Sequence, residues 1–204
     1  MTLRSFASTL TLIAAPVALV ATPAAAQLGQ SEGYKFLQAV KDGKGDEVTK
    51  FLDKPGATVI NARDVTNGDG ALHIVVRRQD SAYLTYLLAR GADPNIKNGR
   101  GETPLLIASS LGSTDAIEAL AKHGANVNLG NASGETALIR AVQWRDTTMV
   151  RSLLALGADP DQKDLLQGSS ARDYAHQDTR TPAIAALIDA APKKIRKAVS
   201  GPRL

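Results

Sequence analysis

Apolar residues recur along this chain in short helical stripes that come in pairs, not in the alternating runs expected of strands. Leu105, Ile107 and Ala108 follow Thr103 and Pro104, a hydroxyl suited to capping a helix and a proline whose missing N–H costs nothing in a first turn. A short helix is therefore predicted from Pro104, with Gly112 breaking it. A second helix, Thr114 to His123, turns Ile117 and Leu120 inward, and Gly124 stands where a C-terminal cap calls for a left-handed residue. From Asn126 the chain becomes polar and glycine-bearing, as suits a turn or extended hairpin leading into the next unit.

The unit returns with a period of 33 residues: Gly68-Asp69-Gly70-Ala71-Leu72-His73, Gly101-Glu102-Thr103-Pro104-Leu105-Leu106, Gly134-Glu135-Thr136-Ala137-Leu138-Ile139. A second marker keeps the same phase, in Gly91-Ala92-Asp93-Pro94-Asn95, Gly124-Ala125-Asn126-Val127-Asn128 and Gly157-Ala158-Asp159-Pro160-Asp161. Two short helices cannot bury their own apolar faces, so units must stack, and the end units must differ because one side meets water. Upstream, Phe36 to Gly43 and then Val48, Phe51 and Leu52 fit a looser copy. Downstream, Gly168-Ser169-Ser170-Ala171 restarts the pattern one residue late, Arg172 takes the place of an expected buried leucine, and Ala183, Ile184, Leu187 and Ile188 supply a last helix. The expectation is an all-α repeat solenoid of about five units, 34–64, 65–97, 98–130, 131–163 and 164–191, the outer two being degenerate caps.

The flanks differ in composition. Residues 1–26 carry one positive charge at Arg4, an apolar run interrupted by Pro16, and small residues ending Ala24-Ala25-Ala26, the pattern of a cleaved secretory signal peptide that leaves Gln27 first. As a membrane anchor the run is short of the roughly 20 apolar residues a span needs. The chain has no cysteine, so the leader is not that of a lipid-anchored precursor and no disulfide forms. Export, with the bacterial periplasm as destination, is expected. Residues 27–33 read as a linker and 192–204 as a basic disordered tail. That tail holds Lys193, Lys194, Arg196, Lys197 and Arg203 with no acid, and between Gln27 and Ala191 there are 18 basic against 20 acidic residues. The overall charge of +4 thus does not signal a nucleic-acid face.

The run Gly101 to Ala108, with Gly112 and the Gly-Ala-Asp-Pro-Asn element, resembles the ankyrin repeat in period and motif. The resemblance extends over roughly Tyr34 to Ala191 and implies stacked helix-turn-helix units joined by short fingers; the family shares this scaffold and little else, and the function expected of the chain is that of a monomeric protein-binding scaffold with no cofactor and no enzymatic activity. The resemblance also implies that His73, the one motif histidine kept, bonds backbone between repeats. Its variable positions, on finger tips and the inner face of each first helix, form a concave binding surface. They correspond here to Asn67, Asp69, Arg77 and Arg78; Arg100, Glu102, Ser110 and Leu111; and Ser133, Glu135, Gln143 and Trp144. Leu165, Leu166 and Gln177 extend the set into the last unit. Trp144, Arg78 and Arg100 are the residue types that dominate protein interfaces. Trp144 also has a plainer reading as packing over a neighbouring helix, and Arg77 and Arg78 as a solvated face.

Other chemistries find little support. His73, His123 and His176 are scattered, the glycines recur for backbone reasons without a Gly-Lys-Ser/Thr to follow, and Asp93, Asp159 and Asp161 lack the close spacing of a calcium loop. No serine has a recognisable catalytic partner. The alternative to an adaptor is an envelope-associated structural protein drawn to anionic membrane surfaces by its basic tail.

Overall fold

A computed structural model describes residues 31–192. The expected signal peptide, most of the expected linker and all but the first residue of the expected basic tail lie outside the described residues. Among the described residues helices come in five pairs: α1 (Glu32–Lys41) with α2 (Gly45–Leu52), α3 (Ala71–Arg77) with α4 (Ser81–Ala89), α5 (Pro104–Ser110) with α6 (Thr114–Lys122), α7 (Ala137–Gln143) with α8 (Thr147–Ala155), and α9 (Ala171–Gln177) with α10 (Pro182–Ala190). A 3-10 turn, Val59–Asn61, follows the first pair. The first helices pack in sequence, α1 on α3, α3 on α5, α5 on α7 and α7 on α9, while α4 meets α6 and α8 meets α10 behind them. This is the stacked solenoid that the period predicts.

The helix starts follow from local chemistry. Thr103 and Thr136 accept the N–H groups of Leu106 and Ile139, and Ser170 accepts that of Asp173, whose carboxylate answers the Ser170 N–H. Gly70 has no side chain to offer its helix, and here only the reverse bond forms, the Gly70 N–H donating to His73 Nδ1 at 3.0 Å. The first helix begins at Glu32, two residues inside the expected linker, because Ser31 caps it through the Tyr34 N–H.

Burial repeats with the period. Leu84, Ile117, Val150 and Ile184 are all at most 1% exposed, one from each second helix after the first. Removing each such side chain from water contributes about 1.5–3 kcal/mol, available only once the neighbouring unit is in place. Arg172 does stand in the leucine position, but the expected register survives. In the last described unit its guanidinium reaches Asp161, the Ile188 carbonyl and Asp189 at 2.7–2.9 Å, so the charge is satisfied within that unit and its neighbour.

Adjacent fingers are tied backbone to backbone. Gly99, Ala132 and Leu165 donate to the carbonyls of Asn67, Arg100 and Ser133 at 2.8, 3.1 and 2.9 Å. That approach explains Gly101, whose φ is +74° and whose Cβ, if present, would meet the Ala132 nitrogen at 2.6 Å. Behind the fingers, the Asn61, Asn95 and Asn128 side chains accept the N–H groups of Asp93, Asn126 and Asp159. The fingers are turns; bridges occur only at Arg63–Gly70 and Lys163–Ser170 among the described residues. In those two the asparagine of the inner fingers (Asn98, Asn131) is replaced by Asp64 and Asp164, and the finger is one residue longer.

Candidate functional site

The face made by the fingers and first helices divides into a floor and a rim. The floor is a charged network running across repeats. Asp69, expected to be free on the surface, is only 5% exposed, because Arg77 and the Asn98 amide close over its carboxylate. Glu102 takes the Arg100 guanidinium at 2.8 and 3.0 Å and lies 3.6 Å from Arg140. Burial pushes the Glu102 carboxyl up, but hydrogen bonds from Arg100 and Asn98 and the nearby Arg140 outweigh it and hold the pKa below its ordinary value. Arg140 also binds Glu135 at 2.6 Å and the Ser110 hydroxyl at 2.5 Å, and donates to the Leu106 carbonyl of the preceding unit at 3.3 Å.

Arg140 was not among the expected site residues. Its signal was present in the register, since Ile74 and Ile107 hold the equivalent positions 33 residues apart. A cation at a stripe position is buried among acids here, its side chain 10% exposed. His73 sits beneath the same floor. With Nδ1 accepting from Gly70, Nε2 carries the proton and donates to the Glu102 carbonyl at 2.9 Å, joining two repeats. Burial pushes its pKa below the ordinary 6.5, and the bond to Glu102 only partly offsets this.

The rim is formed by the turns that end the first helices, and it holds Arg78, Leu111 and Trp144 at successive 33-residue steps. Arg78 is spent on structure: it donates to the Val40 carbonyl of the first unit and to Asp80, both at 2.8 Å, and lies over the Tyr83 ring. Leu111 and Trp144 are different, at 39% and 57% exposed, so Trp144 does not serve as core packing. Gln143 is exposed beside it. On the fingers, Asn67 and Arg100 are exposed and Ser133 half-buried, and all three lend their carbonyls to the inter-finger ladder. Leu165 and Leu166 on the last finger are 76% and 79% exposed.

Beyond Trp144 a further cluster lies between the last two units. Asp178 accepts the Arg145 and Arg180 Nε–H groups, one on each carboxylate oxygen, and the Arg180 backbone N–H together with the Arg145 guanidinium holds its pKa down to about 2. Nothing in the motif flagged these residues, because they lie in the turns between helices. Among the described residues no group of histidines and carboxylates is placed to hold a metal, and no helix is long and apolar enough to cross a membrane.

A family model of ankyrin repeats, three copies long, matches residues 72–164. Over 73 residues the chain is 36% identical to oxysterol-binding protein-related protein 1 of Homo sapiens, a match covering 36% of this chain and 8% of that protein. It is 40% identical over 50 residues to the nuclear factor NF-kappa-B p110 subunit of Drosophila melanogaster, covering 24% and 5%. A third match, 41% over 73 residues, is to ankyrin repeat-containing protein P1E11.10 of Schizosaccharomyces pombe, covering 36% and 34%. In each case the chain spans no more than about a third of the relative's length. Over residues 72–164 the motif, the period, the stacked helical pairs and the family model together identify ankyrin repeats.

Proposed function

We propose that this protein is a non-enzymatic adaptor, exported to the bacterial periplasm, that holds a protein partner as a monomer through its concave face. Ankyrin repeats are generally modules of protein–protein interaction, which supports the coarse reading. The finer one rests on a single observation. The charges of the floor are consumed within the array, whereas Leu111 and Trp144, one repeat apart on the rim, stay exposed. Exposed apolar side chains beside a rigid scaffold favour a partner's surface over water, and tryptophan is the residue type richest in interface hot spots. The rim therefore presents the contact that anchors the partner, with Gln143 beside it.

Affinity capture from the periplasmic fraction tests this. A Leu111→Ala, Trp144→Ala double variant is expected to keep its thermal midpoint and to lose the partner retained by the unaltered chain. A partner retained equally by both would remove the rim from the interface. Mass measurement of the exported protein is expected to show a chain starting at Gln27; a chain retaining residues 1–26 would overturn the export reading.

A further inference from the structure

The turns closing the last two first helices enclose a cleft of about 370 Å³, lined among others by Gln143, Arg145, Gln177, Asp178, Thr179 and Arg180. Its chemistry is unbalanced. Two guanidinium groups share one carboxylate, and each touches Asp178 through Nε. Among the described residues none accepts a hydrogen bond from the terminal Nη groups of either arginine, so four amino groups remain to donate. Asp178 acts as the internal counter-ion that holds the two cations side by side, leaving one positive charge over.

The turn that holds Arg145 is left-handed, φ +60°, as it is at Gly112 (+67°) one unit earlier and at Gln79 (+57°) two units earlier. A non-glycine side chain there is held at a conformational cost, and an arginine so placed reaches across to the next unit, to Asp178 33 residues on. Gln143 and Gln177, one unit apart, provide amides that can both donate to and accept from a peptide backbone.

We propose that this cleft binds a carboxylate of an acidic segment on the protein partner, the Arg145 and Arg180 Nη groups donating to its two oxygens. Planar guanidinium groups match a carboxylate in geometry as well as charge. The site rests on the reading of the array as a protein-binding scaffold and adds to it the charge of the segment recognised. Trp144 immediately precedes Arg145, so an apolar residue neighbouring the acid has a surface to meet.

Trp144 is the only tryptophan of the chain, so its fluorescence reports on the neighbourhood of the cleft. The purified protein is titrated with a blocked hexapeptide of alternating glutamate and leucine, with its glutamine counterpart and with inorganic phosphate, followed by fluorescence and by calorimetry. Saturable binding of the glutamate peptide is expected, weakened by added salt and at least roughly tenfold tighter than that of the glutamine peptide. Arg145→Gly and Arg180→Gln are each expected to weaken it roughly tenfold. The first of these keeps the fold, since glycine suits that backbone, and unchanged thermal midpoints verify this. Equal affinity for the two peptides, absence of binding heat, or unchanged affinity in both variants would overturn the proposal. Phosphate binding as tightly as the glutamate peptide would overturn it too, by making the cleft a site for free anions. Capture of the protein partner that persists in both arginine variants but fails in the Leu111→Ala, Trp144→Ala form would refute the acidic cleft while leaving the adaptor reading intact.

Discussion

On the floor of the first-helix face, Arg140 reaches Glu135, Glu102 and Ser110, and Arg77 reaches Asp69, so polar residues at variable positions are drawn inward and paired. On the rim, only a helical turn away, Leu111 and Trp144 are apolar and face water. Residue type alone would rank the floor arginines with the tryptophan as interface anchors. Geometry separates them, because a guanidinium already holding two carboxylates must lose those bonds before it can serve a partner, whereas an exposed indole gives up only water. The floor is thus read as the part of the face that couples repeats, and the rim as the part left to bind.

The comparison breaks most visibly through Arg140. Arg140→Ala strips a cation from between Glu102 and Glu135 in a site where all three side chains are less than a third exposed, and the loss of one member of such a buried pair costs about 3–5 kcal/mol. Thermal unfolding is expected to show a midpoint lower by on the order of 10 °C. A change of a degree or two would mean that the floor does not couple repeats. Gly101→Ala comes next. It forces a side chain into a left-handed turn against the Ala132 backbone, and a loss of about 1–3 kcal/mol in denaturant unfolding is expected.

A third, smaller effect is set by pH. The folded-state pKa of His73 is lowered by burial, so below 6.5 the unfolded chain takes up a proton that the folded chain refuses. The stability due to neutral His73 is present above pH 6.5 and is lost as pH falls through that value toward the lower folded one, with a slope of at most about 1.4 kcal/mol per pH unit. His73→Gln is expected to flatten the midpoint-versus-pH curve between pH 6.5 and 5, above the range where the carboxylates titrate. The smallest effect belongs to the rim: Trp144→Ala is expected to change unfolding free energy by no more than about 0.5 kcal/mol, as for surface positions generally. A cost of several kcal/mol would return the indole to the core and erase the distinction from the floor.

Much of the fold was legible because the determinants are local and recur. Thr103 before Pro104, Gly112 in the break and Gly124 after the second helix each act within a few residues, and the start of α9 at Ala171 follows the one-residue delay in the pattern. The site was legible only in part, since its contacts join residues one unit apart on different elements. Nothing near Asp69 in the chain announces that Asn98 will cover it, and Arg145 finds Asp178 only when α7 and α9 are stacked. Trp144 was identified correctly as exposed because its position in the repeat, not its neighbours, determines where it points. Arg78 occupies the same row, and its role as a brace to Val40 depends on the atypical first unit.

Site-directed photocrosslinking in living cells tests the division most directly. A photoreactive amino acid placed at Trp144 or Leu111 is expected to yield a discrete adduct with a protein partner, while the same group at Glu118, exposed on the second-helix layer, yields none. No adduct from either rim position, or the same adduct from Glu118, would contradict the assignment of binding to the rim.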